Sequence, residues 1–172
     1  MPVSLARAAA FDILMRVEQG AYATELLHSS RLNELSPADR ALCTEIVMGV
    51  ERWRSRLDDA ITEFSSQPLR IFDCEVLVAL RIGAYQLGFL ERVPPRAAVN
   101  ESVELVKRAR KRSATAMVNA VLRKLEGRRA ELKPNFATED SSPPKLAGAL
   151  AHPQWLVERW ASEYRFATAA RI

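Results

Sequence analysis

Apolar residues recur every three or four positions along most of the chain, which is the spacing of one face of an α-helix. The pattern first predicts a helix from Ser4 to about Glu18, with Gly20 as its stop. Six further helices are predicted at about 21–32, 37–53, 57–64, 73–90, 96–109 and 113–132. The chain is therefore expected to be an all-α bundle of about seven helices.

Start and stop signals support these boundaries. Ser36 precedes Pro37, and Asp39 stands where the acid of a capping box belongs, so a helix is expected to begin there. The prolines Pro94 and Pro95 interrupt the pattern, because neither can donate a backbone hydrogen bond. The predicted fifth and sixth helices are separated at this point.

The composition changes after Leu132. Residues 133–152 combine prolines with Ser, Thr, Glu and Asp and are predicted to be a linker, following a helical domain at 1–132. A new amphipathic helix starts in 153–172, with Leu156 and Trp160 one helical step apart. An apolar face without a partner helix indicates that the chain is a piece of a longer protein.

Composition narrows the class of protein. Of 172 residues, 48% are hydrophobic and 27% charged, with only 6 glycines, which favours a helical globular protein. No apolar run approaches the ~20 residues that a membrane span requires. Cys43 and Cys74 lack metal or redox spacing and are expected to be buried free thiols, which favours a cytoplasmic setting.

Positive charge is concentrated in one segment. The chain carries a net charge of +4, but residues 92–125 hold nine Lys and Arg against two acids, so the remainder is negative. Five of these cations form the basic run, which is Lys107, Arg108, Arg110, Lys111 and Arg112. Concentrated charge of one sign is typical of a surface that binds a polyanion.

An ordinary structural role is the alternative for the basic run. Cations in a last helical turn interact favourably with the helix dipole, and Glu104 is placed to pair with Arg108. Arg110 falls on the apolar side of the helical wheel, so regular helix is expected to end near Ala109. Five cations exceed what capping needs, which favours nucleic acid; a membrane surface is disfavoured because no apolar insertion face accompanies the charge.

Catalytic chemistry has no support from the residues alone. The glycines are never clustered into a phosphate loop, and His28 and His152 are isolated. Asn100 and Asn119 are expected to be buried core amides rather than base contacts. The residues therefore predict a helical binding module and no enzyme in this chain.

Three linked motifs resemble a known family. Residues 39–58 (DRALCTEIVMGVERWRSRLD), 80–109 (LRIGAYQLGFLERVPPRAAVNESVELVKRA) and 117–125 (MVNAVLRKL) are similar to the NusB-type helical RNA-binding domain. That domain occurs as the free-standing NusB antitermination factor and at the N-terminus of the Sun family of RsmB-like rRNA methyltransferases. The segment 151–164 (AHPQWLVERWASEY) favours the methyltransferase group.

The resemblance implies a function for the parent protein. It implies an S-adenosylmethionine-dependent enzyme that methylates C5 of a cytosine in small-subunit rRNA, with no catalytic residue or cofactor site in these 172 residues. The expected partners are this RNA and the chain's own methyltransferase domain. A ribosomal or transcription-complex protein and a homodimer stay open as alternatives. The predicted RNA contacts are the basic run together with Arg123, Lys124 and Arg7.

Overall fold

The structure is a computed structural model that describes residues 3–133, 147 and 151–164. In these residues the α-helices are α1 Leu5–Glu18, α2 Ala23–Leu27, α3 Pro37–Arg52, α4 Arg54–Ser65, α5 Cys74–Phe89, α6 Pro95–Arg108, α7 Thr115–Gly127 and α8 Gln154–Tyr164. Short 3-10 turns lie at Ser30–Glu34, Leu69–Ile71, Arg112–Ala114 and Arg129–Leu132. No strand occurs in the described part of the chain, which confirms the all-α prediction.

The helix α5 is the centre of the bundle. Its residues from Val78 to Gly88 are all buried, and it packs against α1, α3, α4, α6 and α7. A helix that is apolar around its whole circumference has to be enclosed by others to leave water. The remaining long helices form the shell that encloses it.

Close approach to α5 depends on small residues at the crossings. A Cβ atom built on Gly83 would lie 2.6 Å from the Leu122 side chain of α7 and 2.7 Å from the Ser102 hydroxyl of α6. A Cβ atom on Gly49 of α3 would overlap the ring of Tyr85. No side chain fits at either position without moving its neighbours.

Two polar side chains of α5 are buried and satisfied. The Arg81 guanidinium donates to both carboxylate oxygens of Asp58 at 2.6 and 2.8 Å and to Glu18 at 3.1 Å. Gln86 accepts a hydrogen bond of 2.6 Å from Arg7 Nε. Both interactions tie α5 to particular positions on α1 and α4, because a buried charge or amide left unpaired is costly.

The helix starts predicted at Ser4, Ser36 and Asp73 are confirmed in position, with differences in chemistry, whereas the fourth helix begins at Arg54 and not near Leu57. The Ser36 hydroxyl accepts from the backbone N–H of Asp39 at 3.1 Å, as expected for a cap. Ser4 and Asp73 occupy cap positions, but neither side chain makes a capping hydrogen bond. Ser4 Oγ accepts from Arg7, and Asp73 forms an ion pair with Lys111.

Two predicted helices are shorter than expected. The second ends at Leu27 and continues as a 3-10 turn, and the last bundle helix ends at Gly127 before another 3-10 turn. The carbonyls of Glu131, Leu132 and Lys133 all accept hydrogen bonds from Arg56, at 2.7 to 2.8 Å. This clamp holds the end of the bundle close to the predicted boundary at 132.

The segment after the bundle is described in part. Most of the predicted linker at 133–152 lies outside the described residues, as does the end of the last predicted helix at 165–172. In α8, Val157 is buried, Leu156 and Trp160 are half-buried, and Trp155 is 64% exposed. The prediction of an exposed apolar face on this helix is therefore wrong for Leu156 and Trp160.

The two cysteines differ in their surroundings. Both are free thiols, and Cys43 is buried as expected, where burial raises its pKa to about 11. Cys74 is exposed, so the expectation of a buried thiol is wrong there. None of the described helices combines the length and apolar composition needed to cross a membrane.

Candidate nucleic-acid interface

The basic run lies at one corner of the bundle, where α6 ends. Helix α6 stops at Arg108, and Arg110 takes a left-handed conformation with φ of 61°, so the predicted break in the helix is confirmed. A 3-10 turn at Arg112–Ala114 then leads into α7. The five cations therefore project from a helix end and a tight turn.

Two cations of the run are paired with carboxylates. Lys107 Nζ lies 2.6 Å from Glu104, and this hydrogen bond holds the pKa of the Glu104 carboxyl below its usual value. Arg108 Nη2 lies 2.7 Å from Asp12 on α1. The predicted pair between Glu104 and Arg108 is thus wrong, because the helix end lies against α1 and a closer acid takes the guanidinium.

A third cation reaches across to the start of α5. Lys111 Nζ lies 3.0 Å from Asp73 and 3.8 Å from Glu75. The hydrogen bond to Asp73 raises the pKa of Lys111, which stays charged throughout the neutral range. These exposed pairs orient the side chains more than they stabilise the fold, because water screens their attraction.

Arg110 and Arg112 differ from the other members of the run. Both are exposed, and neither forms an ion pair with any residue that the structure describes. Their charge is therefore uncompensated at the corner, whereas three neighbouring cations are partly neutralised. A polyanion would contact these two guanidiniums without breaking an ion pair to any described residue.

The predicted neighbours Arg123 and Lys124 are also on the surface. Arg123 pairs with Glu126 at 2.9 Å, one turn along α7. Lys124 donates to the carbonyl of Phe64 at the end of α4, at 3.4 Å. Both lie in the last turns of α7, whereas the basic run precedes its first turn, so α7 separates them from the run.

Arg7 is placed differently from the other predicted contacts. Its side chain is only 9% exposed and forms an ion pair with Glu101 at 3.1 Å, besides its bonds to Gln86 and Ser4. This geometry connects α1, α5 and α6 inside the bundle. Arg7 therefore has a packing role inside the bundle and is not exposed where the other predicted contacts lie.

Two asparagines lie in a groove between α6 and α7, which Lys107 of the basic run also lines. Asn100 and Asn119 are exposed, so the expectation of buried core amides is wrong for both. Together with Glu101, Glu104 and Lys107 they line a groove of about 310 Å³ between the two helices. The wheel placed Asn119 beside the apolar stripe, but only its neighbours Val118, Val121 and Leu122 turn inward.

Comparison with known proteins identifies the family of this bundle. The profile of the NusB family matches residues 4–127, which is most of the chain. The chain belongs to the NusB family. The resemblance drawn from the three sequence motifs is confirmed.

Longer relatives of this NusB-family chain carry methyltransferase names. A probable ribosomal RNA small subunit methyltransferase B of Bacillus subtilis is 36% identical over 165 residues, which covers 95% of this chain and 36% of that protein. A protein of the same name from Synechocystis is 33% identical over 155 residues, 89% of this chain and 34% of the relative. The chain thus spans about a third of the length of these relatives.

Solved NusB structures share the fold. The NusB structure from T. maritima superposes with a TM-score of 0.65 at 19% identity, covering 74% of this chain and 93% of that one. A crystal structure of the antitermination factors NusB and NusE in complex with dsRNA gives a TM-score of 0.65 at 25% identity, covering 72% and 94%. The matched part in both cases is close to the whole of the NusB chain.

The acids that pair with cations of the basic run were not predicted from the sequence. Asp12 and Arg108 are 96 positions apart, and Asp73 and Lys111 are also remote in sequence, so no periodicity within one helix connects them. Only the Glu104–Lys107 pair follows the spacing of helix neighbours. Tertiary packing of α6 against α1 and α5 creates the other pairs.

The structural role of Arg7 can be tested against Arg16 on the same helix. Arg7→Ala leaves the Glu101 carboxylate and the Gln86 amide without their partner and is expected to lower the free energy of unfolding by about 2 to 4 kcal/mol. Arg16→Ala removes an exposed arginine of α1 and is expected to change it by less than about 0.5 kcal/mol. Urea unfolding followed by circular dichroism measures both, and equal midpoints for the two variants would contradict this assignment.

Proposed function

We propose that this chain is the RNA-binding domain of a small-subunit rRNA cytosine-C5 methyltransferase, acting in the cytoplasm. The basic run at the corner of a NusB-family bundle supports this most directly, together with the names of the longer relatives. Phosphate groups would contact Arg110 and Arg112 first, and Lys107, Arg108 and Lys111 would follow by exchanging their carboxylates for phosphates. Such contacts position an RNA without reading its sequence.

Catalysis would belong to the remainder of a longer protein. The chain's six glycines are dispersed, and its cysteines lie within α3 and at the start of α5, with no proline before either. S-adenosylmethionine therefore has no site that can be named in these residues, and the methyl transfer is proposed for the parent enzyme alone. The role proposed for this chain is to hold the substrate RNA.

A free-standing antitermination factor is the second candidate. The similarity to a NusB chain solved with NusE and dsRNA favours it, because 94% of that NusB chain is covered by the match. The complete reading frame discriminates between the two functions. A further catalytic domain with a Pro-Cys motif supports the methyltransferase, and a stop codon near Ile172 supports the antitermination factor.

Neutralising four of the five cations of the basic run is expected to weaken RNA binding and flatten its dependence on salt. The variant carries Lys107, Arg108, Lys111 and Arg112 changed to Gln, and each lost contact with a single-stranded phosphate lowers the slope by about 0.7. Fluorescence anisotropy with a labelled single-stranded rRNA fragment at several salt concentrations gives both quantities.

A matched control removes four cations elsewhere. Arg40, Arg92, Arg129 and Lys133 are exposed, and Arg92 precedes α6, which places it at the opposite end of that helix from the run. Their combined change to Gln alters the net charge equally and is expected to leave most of the salt slope in place. If both quadruple variants lose the same slope, binding is not localised at the basic run.

Removing the acids that compete with phosphate is expected to strengthen RNA binding. The double variant Asp12→Asn with Asp73→Asn frees Arg108 and leaves Lys111 with only its longer contact to Glu75. Each exposed pair contributes about 0.2 to 1 kcal/mol, so affinity should rise about twofold to thirtyfold at low salt. Glu34→Gln with Asp59→Asn changes the net charge equally at exposed acids outside the corner. Anisotropy titrations in which the two double variants bind equally tightly would show that net charge alone acts.

A further inference from the structure

A second cationic feature lies at the corner where α3 meets α4, away from the basic run. A groove of about 440 Å³ is bounded there by Arg52, Trp53, Ser55 and Arg56 from the bundle, and by Ala147 and residues 151–154 from the segment leading into α8. Two guanidiniums, a hydroxyl and the His152 ring line it, while none of the described lining residues carries a carboxylate. Its volume is within the range of small-ligand sites.

One of the guanidiniums is held in a fixed orientation. Arg56 uses Nε and Nη2 to bind the carbonyls of Glu131, Leu132 and Lys133, which fixes the plane of the group. Its Nη1 donates to no residue that the structure describes. Both N–H groups of Nη1 therefore remain as donors on a preorganised cation.

The second guanidinium belongs to Arg52, and its interactions within the bundle leave its N–H groups unused. Arg52 is the last residue of α3, where a cation interacts favourably with the helix dipole, and it lies 5.6 Å from the centroid of the Trp53 ring. These interactions use its charge and its flat face. In the described part of the chain its N–H groups have no carboxylate or carbonyl partner.

We propose that this groove binds a phosphate group through Arg52 and Arg56, with the Ser55 hydroxyl as a further donor. Guanidinium donors match phosphate oxygens in geometry and form strong charge-assisted hydrogen bonds with them. The phosphate comes either from an RNA backbone or from a free phosphate compound. The proposal goes beyond the function proposed above, because a free phosphate would bind here even if the basic run bound no RNA.

Inorganic phosphate is the probe that tests the groove itself. Titration of the full 172-residue chain at constant ionic strength, with chloride replaced by phosphate, is followed through the arginine Nε–Hε signals in NMR spectra. Saturable shifts of the Arg52 and Arg56 signals are expected in the wild type. Their absence would overturn the proposal.

Substitution of Arg52 tests the site without disturbing the Arg56 clamp. Arg52→Gln is expected to weaken phosphate binding by about tenfold, since it removes charge-assisted hydrogen bonds. Arg40→Gln, an exposed arginine on the same helix, is expected to change it by less than about twofold. Equal weakening in both variants would show binding by net charge and overturn the proposal.

A third variant, Arg52→Lys, tests whether the shape of the guanidinium matters in addition to its charge. Arg52→Lys retains the charge but loses the planar fork, so its affinity is expected to fall between those of wild type and Arg52→Gln.

A single-stranded RNA without a terminal phosphate is then added to the phosphate-loaded chain to identify the source of the phosphate group. If RNA displaces phosphate at the Arg52 and Arg56 signals, the ligand is a phosphodiester; if phosphate stays bound, the ligand is a free phosphate compound.

Discussion

The enclosure of α5 is the constraint on which the remaining structure depends. Apart from a few polar residues its sequence is apolar on all sides of the helix, so it is stable in water only when five other helices cover it. Gly83 allows α6 and α7 to approach, and the buried Arg81 and Gln86 fix which parts of α1 and α4 lie alongside. Apolar burial supplies the driving force, while these polar contacts determine the register.

The same enclosure produces the candidate interface. Because α6 packs on α5 and reaches α1, the end of α6 lies against Asp12 and against the acidic start of α5. Arg108 and Lys111 are therefore held by acids from outside α6, and Lys107 is held by Glu104 of α6 itself. Among the described residues, Arg110 and Arg112 have no acid that compensates their charge. The arrangement orders long flexible side chains before any ligand is present, which lowers the entropy lost on binding.

Sequence patterns predicted the helices and the family better than the details of the site. Helical spacing and proline breaks located the bundle helices, because burial on α5 imposes that periodicity directly. The predicted break at Arg110 was confirmed, since its place on the apolar side of the wheel contradicts a continued helix. The inward position of Arg7, the exposure of Asn119 and the partners of Arg108 and Lys111 were not predicted, because they depend on which helices meet.

Mapping the RNA contacts by NMR is the sharpest test of whether the basic run binds RNA. The ¹⁵N-labelled chain is titrated with a single-stranded small-subunit rRNA fragment, and the backbone amide shifts are followed residue by residue. We expect the largest changes from Lys107 to Thr115 and at the start of α5, with the outer face of α3 at Ala41, Thr44 and Met48 unchanged. Changes centred on that face, with the amides of the basic run unmoved, would contradict it.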